Sequence, residues 1–200
     1  MQRAIIFDFG GVLLKTVDYR PRHAWDDRLG LSHGRVEQAV HNTTSWVQAQ
    51  CGLILIEDYW QDVAAQLHLS PEDTRQLALD FYSGDQLDLT LIDYLRQLRD
   101  DGHTVALLSN ESADLPMKLQ KLGIADLFDP TVISASIGVM KPAPEAYQAV
   151  LTRLKRPADD AIFIDDRLEN IHGARALGIH GVHYAAGMDL PAALVDILYA

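Results

Sequence analysis

Three runs dominated by apolar residues restrict the folds that this chain can adopt. They lie at residues 4–7, 103–108 and 161–164, and their apolar residues follow one another without alternation. A strand that faces water on one side alternates apolar and polar residues, whereas a strand covered on both faces is apolar throughout. The three runs therefore predict buried strands of a parallel sheet.

Two further β-rich runs, at residues 131–134 and 178–184, bring the number of predicted strands to five. Stretches with helical periodicity separate the later runs, and two of them end at a glycine, Gly123 and Gly178. Strands and helices that alternate along the chain are typical of doubly wound sheets with right-handed crossovers. We therefore predict the α/β class, with a mostly parallel, five-stranded Rossmann-like sheet.

The segment from residue 17 to residue 87 interrupts this alternation. It contains no convincing strand, and Ile56, Tyr59 and Val63 have the spacing of one helix face. All three tryptophans of the chain also lie in it. We therefore expect residues 17–87 to form a small α-helical cap domain with its own apolar core, and residues 1–16 and 88–200 to form the core domain.

The composition excludes several classes of partner. With 17 Lys and Arg against 28 Asp and Glu, the formal net charge is −11, which argues against nucleic acid and against an anionic membrane surface. One cysteine, Cys51, forms no internal disulfide. The sequence shows neither an apolar run of about 20 residues nor a secretory signal, so we expect a cytoplasmic protein. Whether it is a monomer or a homodimer stays open.

Polar residues that can carry chemistry follow the predicted strands. Asp8 follows the first strand, Ser109 and Asn110 follow the second, and Asp165 and Asp166 follow the fourth. In a doubly wound sheet, ligands bind beyond the carboxyl ends of the strands. The adjacent carboxylates of Asp165 and Asp166 repel each other unless a cation or solvent separates them. Lys141, after the third strand, supplies an ammonium at the same edge.

Four dispersed segments together resemble the haloacid dehalogenase superfamily of phosphatases and phosphotransferases. They are Asp8-Phe9-Gly10-Gly11-Val12, Leu108-Ser109-Asn110, Lys141-Pro142 and Ile164-Asp165-Asp166. The resemblance covers nearly the whole chain, because the helical segment matches the cap that many members carry after the first strand. It implies a phosphatase that acts on a small phosphorylated metabolite.

The resemblance also implies a role for each matched residue. Asp8 would attack phosphorus and form an aspartyl-phosphate. Mg²⁺ would be held by Asp8, the backbone carbonyl of Gly10 and Asp166, with Asp165 helping directly or through water.

The remaining matched residues would bind the phosphoryl group. Ser109 and the amide at Asn110 would contact its oxygens, close to the glycines Gly10 and Gly11 of the first segment. Lys141 would neutralise charge and orient Asp8. A protein with net charge −11 binds a phosphate dianion only where local positive charge inverts the field, and a divalent ion with Lys141 would do so.

The chain departs from the family pattern at Gly10. Members usually carry a second Asp at this position, which protonates the leaving oxygen and later activates water. A backbone carbonyl still offers a metal contact there, but the general acid is lost, and such a group is worth ~10²–10⁴-fold in rate. His23, His33 and His41 are candidate substitutes, and Arg20 and Arg22 are candidate substrate contacts, although exposed positions are the simpler interpretation of all five.

Three functions stay open on the sequence alone. The first is a phosphatase whose leaving group needs little protonation, such as the anomeric hydroxyl of a sugar phosphate. The second is a catalytically weak binding or regulatory protein that keeps the fold. The third is a metal-independent 2-haloacid dehalogenase, whose halide leaves without a proton. The paired acids Asp165 and Asp166 argue against the dehalogenase, which has no use for them.

Overall fold

The computed structural model describes residues 2–199 and has the α/β architecture that the sequence predicts. Its strands are β1 (Ala4–Phe7), β2 (Leu14–Thr16), β3 (Asp85–Leu87), β4 (Thr104–Ser109), β5 (Thr131–Ile133), β6 (Ala161–Asp165) and β7 (His180–His183). Its α-helices are α1 (Arg20–Arg28), α2 (Arg35–His41), α3 (Thr44–Gln50), α4 (Ile56–Leu67), α5 (Pro71–Phe81), α6 (Leu89–Asp100), α7 (Leu115–Lys121), α8 (Ser134–Ile137), α9 (Pro144–Leu154), α10 (Leu168–Ala176) and α11 (Leu190–Tyr199). In this part of the chain, no helix is both long enough and apolar enough to cross a bilayer.

Five strands form one sheet in the order β5-β4-β1-β6-β7, and every neighbouring pair is parallel. The first strand of the chain is thus the central one, and Phe7 pairs with Leu107 on one side and with Ile164 on the other. The predicted five-stranded, doubly wound sheet is confirmed. Its register brings the carboxyl ends of β4, β1 and β6 to one edge, where Asp8 follows the central strand.

Helices cover both faces of this sheet, which explains the unalternating strands. On one face, Ile5 and Phe7 pack with apolar residues of α6, α7 and α11. On the other face, Ile6 and Phe163 pack with residues of α9 and α10. Successive side chains of a strand point to opposite faces, so a sheet with two covered faces needs apolar residues at every position.

The five helices α1–α5, here called the helical insertion, surround a separate apolar cluster centred on Trp25, Tyr59 and Phe81. A two-stranded antiparallel ribbon, β2 with β3, joins the insertion to the sheet. The expectation that residues 17–87 contain no strand is therefore wrong at β3. This strand is short and polar, and its pairing depends on β2, about seventy residues earlier, so no local pattern reveals it.

Candidate active site

Lys141 lies at the centre of the polar residues that the strands bring together. It lies in the loop between α8 and α9, and its side chain is 1% exposed. Its Nζ lies 2.8 Å from Asp8 Oδ1 and 2.7 Å from Asp165 Oδ2, and it donates to the backbone carbonyl of Leu108 at 2.8 Å. An ammonium has three N–H donors, so all of them have acceptors here. Lys141 therefore connects the carboxyl ends of β1, β4 and β6.

Asp165 is fully buried at the end of β6, and hydrogen bonds fix the orientation of its carboxylate. The backbone N–H of Arg167 donates to Oδ1 at 2.8 Å, and Asn170 Nδ2 lies 3.0 and 3.1 Å from the two oxygens. Asn170 is itself held at its carbonyl by the hydroxyl of Tyr147, at 2.7 Å. Asn170 thus positions the carboxylate of Asp165, and no motif in the sequence indicates this role.

Three carboxylates converge at this edge of the sheet. Asp8, Asp165 and Asp166 each place an oxygen within 4.8 Å of the oxygens of the other two. Three negative charges against the single ammonium of Lys141 leave an excess of two. Asp166 is the exposed member, and partial burial together with the charge of Asp165 raises its pKa. Mg²⁺ binds to oxygen ligands, and it is favoured where negative charge is not fully compensated. These three carboxylates therefore fit that ion.

The two glycines after Asp8 have different structural roles. Gly11 has a φ of +79°, and a Cβ built on it would overlap the carboxylate of Asp166. Gly11 therefore allows the Asp166 carboxylate to approach the loop after β1. A Cβ on Gly10 would meet no atom within 4 Å. The backbone around Gly10 thus leaves space for a Cβ atom at this position.

Ser109 is buried at the end of β4, one residue before Asn110. The side chain of Asn110 is engaged by the backbone of Lys141: Nδ2 donates to the carbonyl and Oδ1 accepts from the N–H, both at 2.8 Å. Asn110 therefore holds the Lys141 loop against β4. Both polar atoms of its side-chain amide are thus engaged within the protein.

A cleft of about 810 Å³ runs from this site to the helical insertion. Gly10, Gly11 and Asp166 line it on the sheet side, and His41 and Tyr82 line it on the other. Burial, together with the charges of Arg22 and Lys118, lowers the pKa of His41 to about 4. The imidazole is then neutral near pH 7, which makes His41 a poor general acid for a leaving oxygen.

Three of the other candidates from the insertion, His23, His33 and Arg20, do not line the cleft. His23 and His33 stack on each other with ring centroids 4.2 Å apart. Arg20 is exposed and paired with Asp18.

Arg22 is buried, contrary to the expected exposed position. It forms ion pairs with Glu37 and Asp85 and donates to the carbonyl of Phe81. The guanidinium therefore fastens the insertion to β3. The sequence offered no sign of this, because its partners come from three separate segments.

Burial raises the pKa of Asp8 from 3.8 to about 6, because desolvation outweighs the attraction of Lys141, and the charge of Asp165 adds to the increase. The folded, metal-free protein therefore binds a proton at Asp8 more readily than the unfolded chain does, and the carboxylate predominates only above about pH 6. Burial makes the ionised form of Asp8 energetically unfavourable, and a bound cation would favour that form again.

Comparison with known proteins finds one family and several curated relatives. Residues 2–178 match the family model of the haloacid dehalogenase-like hydrolases. The chain is 29% identical over 182 residues to a sesquiterpene phosphatase of Aspergillus oryzae, with 90% of this chain and 89% of the relative covered. It is 26% identical over 208 residues to a D-ribitol-5-phosphate phosphatase of Bacteroides thetaiotaomicron, with 99% of each covered.

A solved structure shows the same fold. It is a haloacid dehalogenase family enzyme from Bacteroides thetaiotaomicron in complex with magnesium and inorganic phosphate. The TM-score is 0.81 at 23% identity, with 96% of this chain and 99% of that chain covered. The agreement extends over the sheet and the helical insertion alike, since so much of both chains is included.

The difference between the two glycines can be tested by substitution. We expect Gly11→Ala to lower the free energy of unfolding by ~1–2 kcal/mol, because alanine at positive φ is strained. We also expect it to weaken Mg²⁺ binding, because the Cβ displaces Asp166. Gly10→Ala is the matched control and should change both less. Thermal denaturation and calorimetric Mg²⁺ titration measure the two effects, and equal losses in both variants would contradict the interpretation.

The raised pKa of Asp8 predicts a pH-dependent stability of the metal-free protein. A carboxyl whose pKa rises on folding contributes stability in full below its unfolded value of 3.8, and loses that contribution as the pH passes about 6. In EDTA, Asp8→Asn should therefore be more stable than the wild type by ~1–3 kcal/mol at about pH 8, with little difference near pH 4. Denaturant unfolding at several pH values measures this.

The exposed Asp196 on α11 offers a control, Asp196→Asn, which should show no such pH-dependent gain. Excess Mg²⁺ should stabilise the wild type and not Asp8→Asn. If Asp8→Asn is the less stable protein in EDTA at every pH, the ion pair with Lys141 outweighs desolvation and the prediction is wrong.

Proposed function

This chain belongs to the haloacid dehalogenase-like hydrolase family, and we propose that it is a Mg²⁺-dependent phosphatase that works through an aspartyl-phosphate on Asp8. Two phosphatases are among its relatives, matched over 90% and 99% of the chain. The observation that carries the proposal is the convergence of Asp8, Asp165 and Asp166 around the buried ammonium of Lys141. The fold alone would not suffice, because one fold hosts many activities.

Asp8 is the proposed nucleophile. Its carboxylate oxygen forms a bond to phosphorus while the bond from phosphorus to the ester oxygen breaks, and the released alcohol oxygen takes up a proton. A water molecule then attacks the phosphorus of the aspartyl-phosphate, which restores the carboxylate and releases inorganic phosphate. The hydrogen bond from Lys141 to Oδ1 of Asp8 holds the carboxylate in one orientation.

The proposed phosphate contacts come from groups around Asp8. Ser109 and the backbone N–H of Asn110 would bind phosphoryl oxygens, next to Gly10 and Gly11. Lys141 would offset the negative charge that gathers in the transition state. Asp8, Asp166 and the carbonyl of Gly10 would hold Mg²⁺, with Asp165 directly or through water, and the ion would neutralise the site enough for a phosphate dianion to bind.

The proposed substrate is a small phosphorylated metabolite, and a sugar phosphate is one such class. The relatives named above are a sesquiterpene phosphatase and a D-ribitol-5-phosphate phosphatase. Residues 17–87 would be the cap, and the separate apolar cluster of the helical insertion supports that division. The cytoplasmic location and the choice between monomer and homodimer stay predictions.

The dehalogenase alternative is the less favoured. Within residues 2–199, the carboxylate of Asp166 forms no salt bridge with a lysine, arginine or histidine. It nevertheless places an oxygen within 4.8 Å of the carboxylate oxygens of Asp8 and Asp165. Such a cluster is costly without a cation. The alternative of a catalytically weak binding or regulatory protein is tested by the experiments that follow.

Metal removal and loss of Asp8 test the proposed activity directly. We expect hydrolysis of p-nitrophenyl phosphate in Mg²⁺, loss of that activity in EDTA, and recovery on readdition of Mg²⁺. Asp8→Asn should lower kcat by at least about 10³-fold, because the nucleophile is gone. Activity that persists unchanged in EDTA contradicts the metal assignment. Metal binding without turnover supports the regulatory alternative, and halide release from a 2-haloacid without metal supports the dehalogenase.

The open space at Gly10 predicts a gain of function. Wild-type rates should fall steeply as the leaving group becomes more basic, because no acid at position 10 protonates the ester oxygen. Gly10→Asp should raise kcat/KM for alkyl phosphates by up to ~10²-fold and change aryl phosphates less. Gly10→Asn supplies a side chain of the same size without the acid and should show no such gain. Equal wild-type rates for alkyl and aryl esters would refute the prediction.

A further inference from the structure

The cleft between the acid cluster and the helical insertion begins at the residues that follow Asp8 in the chain. Its sheet side carries Gly10, Gly11 and Asp166, and its far side carries His41 and Tyr82. A phosphate held at Asp8 would therefore have this volume of about 810 Å³ available for its leaving group. The chemistry of the lining then decides which alcohols are accepted.

One cation of this lining stands apart from the others. Lys15, Arg22 and Arg167 each form an ion pair, with Asp88, with Glu37 and Asp85, and with Glu169 respectively. Lys118, on α7, is the one lining cation of residues 2–199 without a salt bridge.

The Lys118 ammonium rests on aromatic rings. Its Nζ lies 5.5 Å from the ring centre of Phe9 and 4.8 Å from that of Tyr82. Ring faces stabilise the charge without using its N–H donors in strong hydrogen bonds. Those donors are left for oxygen atoms in the cleft.

A carboxylate faces the same volume from the core domain. Glu111 follows Ser109 and Asn110 directly, lines the cleft, and accepts a hydrogen bond from the backbone N–H of Ser112 at 2.9 Å. Burial raises the pKa of Glu111, and the charge of Lys118 opposes that increase. The two side chains thus influence each other without a salt bridge between them. A hydroxyl group that accepts from Lys118 and donates to Glu111 satisfies both.

The insertion adds neutral hydrogen-bonding groups to this pair. The imidazole of His41 is neutral near pH 7, and its Nε2 lies 3.4 Å from the hydroxyl of Tyr82. An alkyl or terpene chain in this cleft would remove water from Lys118, Glu111 and Tyr82 without replacing its hydrogen bonds. A site that binds hydroxyl groups strongly rejects analogues without them, because the polar groups of the site are then left without hydrogen-bond partners.

We infer that Lys118 and Glu111 form a hydroxyl-recognition subsite, which makes the preferred substrate the phosphate ester of a polyol or sugar rather than of an apolar alcohol. The inference rests on the proposed function, because it takes the phosphate to lie at Asp8. It goes beyond that proposal by assigning the recognition of the leaving group to two residues of the core domain.

Two esters with six carbons each test the subsite. Sorbitol 6-phosphate and n-hexyl phosphate are both primary alkyl esters and differ in their hydroxyl groups. We expect the wild type to favour sorbitol 6-phosphate in kcat/KM by at least ~10²-fold. Lys118→Met and Glu111→Met should each reduce this ratio by about tenfold or more, mainly through KM. Lys121→Met, an exposed lysine on the same helix, should keep the ratio.

Binding separates failure of the subsite from failure of the proposed function. Calorimetry with Asp8→Asn in Mg²⁺ compares the two esters without turnover. Selective binding of sorbitol 6-phosphate that Lys118→Met abolishes supports the subsite even if no ester is hydrolysed. Equal binding and equal hydrolysis of both esters, or a preference for n-hexyl phosphate, overturns it even if p-nitrophenyl phosphate is hydrolysed. Equal loss of the ratio in Lys121→Met also overturns it.

Discussion

The buried ammonium of Lys141 is the interaction on which the rest of the site depends. Its three N–H donors bind Asp8, Asp165 and the carbonyl of Leu108, which belong to three neighbouring strands or their ends. A buried ammonium is costly unless all its donors have acceptors, and removing one partner leaves the others uncompensated. The arrangement therefore fixes the carboxyl edge of the sheet in one geometry, although three acids against one base leave it short of positive charge. Because the acids outnumber the single ammonium, a bound cation would stabilise the folded protein.

Backbone and side-chain contacts around Lys141 show how the sheet prepares the site for chemistry. The parallel register sets Asp8 between β4 and β6, Asn110 clasps the backbone of Lys141, and Asn170 orients Asp165. In the proposed reaction these charged groups would need little rearrangement, since they are already in place. The raised pKa of Asp8 is the cost of this preorganisation, because the carboxylate is desolvated before any ligand arrives.

Much of this arrangement was readable from the chain, since the relevant signals are local. Unalternating apolar runs indicated strands covered on both faces, and the polar residues directly after them indicated the functional edge. The strand β3, the burial of Arg22 and the engagement of Asn110 with Lys141 were not readable. Each depends on partners from distant segments, and none leaves a periodic trace in sequence. The sequence also could not show that Lys118 lacks a salt bridge within residues 2–199, because this depends on where the carboxylates of other segments lie in the fold.

The sequence by itself determined the fold class, the family and the identity of the groups at the carboxyl edge, because hydrophobic periodicity and short motifs are properties of neighbouring residues. Only the tertiary structure decided which charges are paired and which face the cleft. Gly10 illustrates the division. Its lack of a side chain is a fact of sequence. The open space around it, and the identity of the side chains that face it across the cleft, depend on how the helical insertion packs over the sheet. Pairing and burial are set by long-range packing, and so are the pKa values and specificity that follow from them.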